Sequence, residues 1–134
     1  MTTEIKLQRE IVEVVRAAGG FAFKLSNRFL IGVPDLFVKL PWHSAAFYEV
    51  KLAKLPAATR KTEIELAVTP LQDKFLREAH AAGVRTGVIS LVVRGNEFGM
   101  HITQGVHPLL SWHRWCKLVE RRKLMLALIR EDLK

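Results

Sequence analysis

Apolar and polar positions along this chain fall into alternating helical and strand periods. In residues 3 to about 18, Ile5, Ile11, Val12, Val15 and Ala18 recur at three- and four-residue spacing, the stripe of an amphipathic helix. Thr3 suits its N-cap, Glu4 its first turn and Gly19-Gly20 its end. Residues 21–25 alternate with period two, predicting a strand with Phe21, Phe23 and Leu25 on one face and Ala22 and Lys24 on the other. Beyond a Ser26-Asn27 turn signal, two β-branched and aromatic runs, 32–40 and 46–51, flank the break Pro41-Trp42-His43-Ser44-Ala45 and read as adjacent strands. Residues 52–68 read as a loop rich in Ala and Lys. A second helix is predicted over 69–82, with Thr69 as cap, Pro70 first, Gln72 closing a capping box, Leu71, Phe75, Leu76 and Ala79 inward, and Gly83 as terminator. The nearly unbroken apolar run 84–93 predicts a central strand buried on both faces, reached by a helical crossover and therefore parallel to its neighbour. A turn at 94–97 leads to a short edge strand near 99–103. Residues 108–134 read as helical and basic, with Trp115, Leu118, Arg122, Met125 and Ile129 packing on the sheet or on a second subunit. The pattern predicts one α/β domain over 1–134, its core about 4–103: a mixed central sheet flanked by helices, with an extra C-terminal helix.

Three charges interrupt the two central runs. Asp35 opens the first; Glu49 and Lys51 lie near the end of the second. Alternation puts Glu49 and Lys51 on one face and Val50 on the other. If the strands pair, Asp35 lies beside Glu49. Two close carboxylates repel unless a cation sits between them, and oxygen donors select a hard ion such as Mg²⁺. A lysine at such a site can orient a water or meet the charge that builds on a phosphate under attack.

Composition narrows the partners. The 134 residues are 49% hydrophobic and 25% charged, globular proportions with room for one core. No apolar run approaches the length of a membrane span, and the first residues predict a helix, not a signal peptide. One cysteine, Cys116, allows no internal disulfide and suits a reducing, cytoplasmic setting; it reads as a packing residue, since no base accompanies it. The net charge of +8 favours a polyanion, usually nucleic acid. The five histidines have neither metal-ligand nor triad spacing, and no phosphate-binding glycine motif implies a nucleotide cofactor.

Other residues admit two readings each. Glu4 is a first-turn acid or a further acid of the site; Glu10 and Glu13 read as a solvated helix face. Lys24 touches a phosphate or guards an edge strand. Arg28, at the mouth of a loop, and Lys54, Arg60 and Lys61, in the 52–68 loop, grip DNA phosphates or are merely solvated.

The segment Gly32-Val33-Pro34-Asp35, the triplet Glu49-Val50-Lys51 and the helix start Thr69-Pro70-Leu71-Gln72, in that order, resemble the PD-(D/E)xK nuclease superfamily, most closely its small stand-alone virus-type replication-repair nucleases (the VRR-Nuc type). Glu4, Gln8 and Gly19-Gly20 also match, so the resemblance covers roughly residues 4 to 93. It implies a restriction-endonuclease-like core and a Mg²⁺-dependent endonuclease, with Mn²⁺ substituting. Asp35, Glu49 and the Val50 carbonyl would hold the metal, with Glu4 a further ligand, direct or through water. Lys51 would position the water, and Gln72 would lie near the scissile phosphate. Products would carry 5′-phosphate and 3′-hydroxyl ends. Stand-alone members act on branched DNA, including four-way (Holliday) junctions, in recombination and repair; symmetric cutting of such a junction asks for a homodimer. A phage replication module is the expected source, placing the protein in the host cytoplasm. The alternatives are a non-catalytic DNA-binding module of the same fold and a sequence-specific restriction-like enzyme.

Overall fold

The structure, a computed structural model, describes residues 3–25, 32–57, 63–65, 68–104, 109–111 and 115–134, with backbone only for 63–65 and 109–111. Helix α1 (Glu4–Ala17) is capped by Thr3, whose hydroxyl accepts the Lys6 N–H, and closes at Gly19, φ +84°. Strands β1 (Phe21–Lys24), β2 (Leu36–Lys39) and β3 (Ala45–Leu55) form an antiparallel meander. After the short β4 (Glu63–Glu65) comes α2 (Pro70–Ala81), then β5 (Thr86–Arg94), which lies parallel to β3 as its apolar run predicts. Strands β6 (Glu97–Thr103), β7 (Leu109–Ser111) and β8 (Trp115–Lys117) follow, then a 3₁₀ turn and α3 (Arg121–Asp132). The main sheet runs β1-β2-β3-β5-β6-β8, mixed and six-stranded; β4 and β7 pair separately. The α/β class, the mixed sheet with flanking helices and the C-terminal helix match the sequence expectation.

The main core lies between one sheet face and α1 with α3. Leu36, Val38, Tyr48, Val50, Ile89 and Leu91 meet Leu7, Ile11, Val15, Met125, Ile129 and Leu133 there. Each such side chain fully withdrawn from water contributes roughly 1.5–3 kcal/mol before chain entropy is subtracted. On the other face a ladder of rings, Phe21, Phe23, Phe37, Phe47 and Phe75, has successive centroids 5.3–6.0 Å apart. The Phe47–Phe75 contact seats α2 on β3.

Several expectations need correction. The buried face of α1 is Leu7, Gln8, Glu10, Ile11, Val14 and Val15, and Ile5 is 59% exposed. Glu10 is not solvated: Arg121 grips it at 2.7 Å through Nε and again through Nη2, and Arg122 reaches both it and Glu13, so three ion pairs tie α1 to α3. In β1 the expected alternation holds, with Ala22 buried and Phe21 and Phe23 on the more open face. The 52–68 segment is not all loop, because residues 52–55 extend β3 along β5 (Leu52 opposite Leu91, Leu55 opposite Arg94). Within α2 only Leu76 is fully buried and Leu71 is exposed. Strand β6 is not an edge, since β8 covers its start. Residues 115–117 are strand, so the C-terminal helix begins only at Arg121, and α3 packs on α1 and β6 of its own chain.

Candidate active site

The candidate site forms where β2 parts from β3. Their register pairs Leu36 with Tyr48, so the next position sets Asp35 opposite Glu49. Pro34, without an N–H, ends the ladder there. Beyond that point the edge of β3 has no strand partner among the described residues, and acids take its place. The Val50 N–H donates to Asp35 Oδ2 at 2.8 Å, and the Glu4 carboxyl lies near enough to the Leu52 N–H to feel it. A strand residue directs its N–H and C=O to the same side, so the Val50 carbonyl faces this edge as well. Gly32 brings the preceding segment against α2: its φ is +87°, and a Cβ there would stand 2.7 Å from the Leu71 carbonyl oxygen.

Glu49 and Lys51 share the face under α2, while Val50 is in the core. Glu49 is only 2% exposed. Gln72 reconciles its two readings: its Oε1 accepts the Thr69 N–H at 2.9 Å, closing the capping box, while its Nε2 donates to Glu49 Oε1 at 2.8 Å. Lys51 Nζ stands 3.5 Å from the same Glu49 oxygen. The other oxygen, Oε2, is buried with no hydrogen-bond partner among the described residues. Burial, and then the adjacent Asp35, push the Glu49 carboxyl up to about 8 against the pull of Lys51. Glu4 is also raised, by burial and by Asp35, with Lys51, the Leu52 N–H and Lys24 opposing.

These residues fit a hard divalent cation. The donors are oxygens, one buried carboxylate oxygen is orphaned, and two carboxyls are held together at a cost that a cation between them would remove. Among the described residues no three acidic, histidine or cysteine side chains converge to hold an ion. Glu4 is near enough to Asp35 for the charge of that carboxyl to be felt by it.

The expected DNA contacts divide. Lys24 is exposed on the edge strand and near enough to Glu4 for its charge to be felt there. Lys54 is on strand β3, where alternation puts it on the Val50 face, away from Lys51. Arg28, Arg60 and Lys61 lie outside the described residues. Cys116 is half-buried and its thiol is pushed up by burial, consistent with a packing role. One residue escaped the sequence reading. Ser90 pairs in register with Lys51 on β5, fully buried, its hydroxyl without a partner. Its signal was a single hydroxyl inside the apolar run 88–93.

No protein-family model and no curated protein matches the chain. Among solved structures it is similar to Hjc, a Holliday junction resolvase from Archaeoglobus fulgidus, at 14% identity and a TM-score of 0.46, covering 71% of this chain and 72% of that one. A likeness this distant does not bear on the chemistry of the site.

Proposed function

We propose that the chain is a Mg²⁺-dependent endonuclease that hydrolyses phosphodiester bonds in branched DNA, four-way junctions among its substrates. The observation that carries this is the Asp35–Glu49 pair at the parting of two strands, with an orphaned Glu49 oxygen and Lys51 beside it. The ordered motifs Gly32-Val33-Pro34-Asp35, Glu49-Val50-Lys51 and Thr69-Pro70-Leu71-Gln72 support the same reading.

Asp35, Glu49 and the Val50 carbonyl would hold the ion, with Glu4 a further acid, direct or through water. Bound there, the ion would compensate phosphate charge and acidify a water. The chain's own groups do the positioning. Gln72 fixes Glu49 Oε1, leaving Oε2 for the site. Lys51 keeps its ammonium against Glu49, where it can hold the attacking water and stabilise negative charge on the phosphate. The bond to the 3′-oxygen breaks, leaving 5′-phosphate and 3′-hydroxyl ends. A homodimer would bring two such sites to a two-fold junction.

The test incubates the protein with Mg²⁺ and a four-way junction, a linear duplex or a single strand, beside Asp35→Asn. Paired nicks in the junction, absent with the variant, are expected. Cleavage of plain duplex at one sequence would instead support a restriction-like enzyme. Binding without any cleavage would support a DNA-binding module.

A further inference from the structure

A groove of about 240 Å³ runs between α1 and the unpaired edge of β1, lined by Ile5, Arg9, Val12, Arg16, Phe23 and Lys24. Of the described residues that line it, every polar one is cationic. Among the described residues, none of Arg9, Arg16 and Lys24 makes an ion pair. Arg16 is pinned to the wall of the groove by Nε, which donates to the Ala22 carbonyl at 3.0 Å. The rest of the lining is apolar and unusually open for its type: Ile5 is 59% and Phe23 37% exposed. Val12 also packs against the core and Phe23 belongs to the ring ladder, but Ile5, Arg9 and Lys24 belong to neither. Lys24 in its lining is near enough to Glu4 for its charge to be felt there, and Ile5 follows Glu4 in α1, so the groove begins beside the Glu4 end of the helix.

We infer that this groove takes an unpaired stretch of the DNA strand adjoining the scissile phosphate. Its phosphates lie along Arg9, Arg16 and Lys24, and a base rests on the Phe23 ring. Three unpaired cations with no carboxylate among them suit a polyanion, and an open phenyl ring within that charge suits a nucleobase more than a protein side chain. Continuity with Glu4 gives the strand a direction, from the bond being cut out along α1. Paired duplex keeps its bases stacked inside and offers nothing to Phe23, so the groove favours substrates with unpaired bases at a branch.

This inference rests on the DNA reading of the site, and the two fail differently. Fluorescence anisotropy in EDTA, which leaves the DNA uncut, compares a labelled four-way junction carrying a short unpaired stretch at its branch, the duplex and the single strand with the parent chain, Arg9→Gln, Phe23→Ala, Phe23→Leu and, as a remote control, Arg130→Gln. Thermal melting checks that each variant is folded. Phe23→Ala is expected to weaken single-strand and junction binding roughly tenfold, with duplex binding nearly unchanged. Arg9→Gln should reduce the salt dependence on single strand by roughly 0.7 in log K per log salt, one phosphate contact. Arg130→Gln should bind like the parent. Folded Arg9 and Phe23 variants that bind all three DNAs like the parent would overturn the groove and leave the nuclease reading standing. Loss of subunit association in Phe23→Ala, seen by sedimentation without a change in DNA affinity, would also overturn it, making the surface a contact with a second copy. A parent that binds DNA through this groove but never cuts would overturn the nuclease reading and leave the groove.

Discussion

Glu49 is the residue where the site's energetics concentrate. A carboxyl buried against another carboxyl keeps its proton well above the ordinary range, and here only Lys51 and Gln72 work against that. Without metal, the folded protein therefore holds a proton that the unfolded chain releases near pH 4.5. Stability from this group is fully present below that pH and is lost as pH rises towards about 8. Urea unfolding in EDTA should show stability declining across this window, and Asp35→Asn should flatten the decline. A rising profile would contradict the account. In catalysis, Asp35→Asn and Lys51→Ala should each lower single-turnover junction cleavage by about 10²–10³-fold, with binding in EDTA kept. Much of this was legible in the sequence, because period-two alternation places Asp35, Glu49 and Lys51 without reference to the rest of the chain. The pairing of Gln72 with Glu49 was not, since a capping box accounts for that glutamine locally and only the seating of α2 on Phe47 brings it over the strand.

Among the elements, α2 and the Gly32 segment decide how well the site is held. Gly32 combines a left-handed φ with contact against the Leu71 backbone, so Gly32→Ala has no conformation free of strain or collision. It should cost at least about 1–2 kcal/mol in urea unfolding. It should also reduce cleavage, because α2 carries Gln72; unchanged stability and cleavage would show that the contact can relax. Helices with local punctuation, Thr3 and Gly19 for α1, Thr69-Pro70 and Gly83 for α2, could be read directly from the chain. The extension of β3 to Leu55 and the pairing of β8 with β6 could not. Both depend on partners far away in sequence, and the Ala- and Lys-rich residues after Lys51 look like loop until β5 lies beside them.

At the scale of the whole molecule, α3 closes the core and is tied to α1 by Arg121 and Arg122 on Glu10, a buried acid that helical periodicity alone assigns to solvent. Charge at one position of a helix says nothing about a cation arriving from more than a hundred residues away. Glu10→Gln should lower stability by about 2–3 kcal/mol while leaving cleavage intact, since the clamp lies apart from the Asp35–Glu49 edge. Equal losses of stability and rate at a temperature where the variant stays folded would tie the clamp to the site. The central claim is that the folded chain brings two acids and a main-chain carbonyl together to hold a divalent ion. Titration of Mn²⁺ followed by electron spin resonance tests it without any DNA. The account predicts one saturable class of tight sites per chain in the parent, weakened at least about tenfold in Asp35→Asn and in Glu49→Gln. Equal Mn²⁺ binding by the parent and both variants would contradict it.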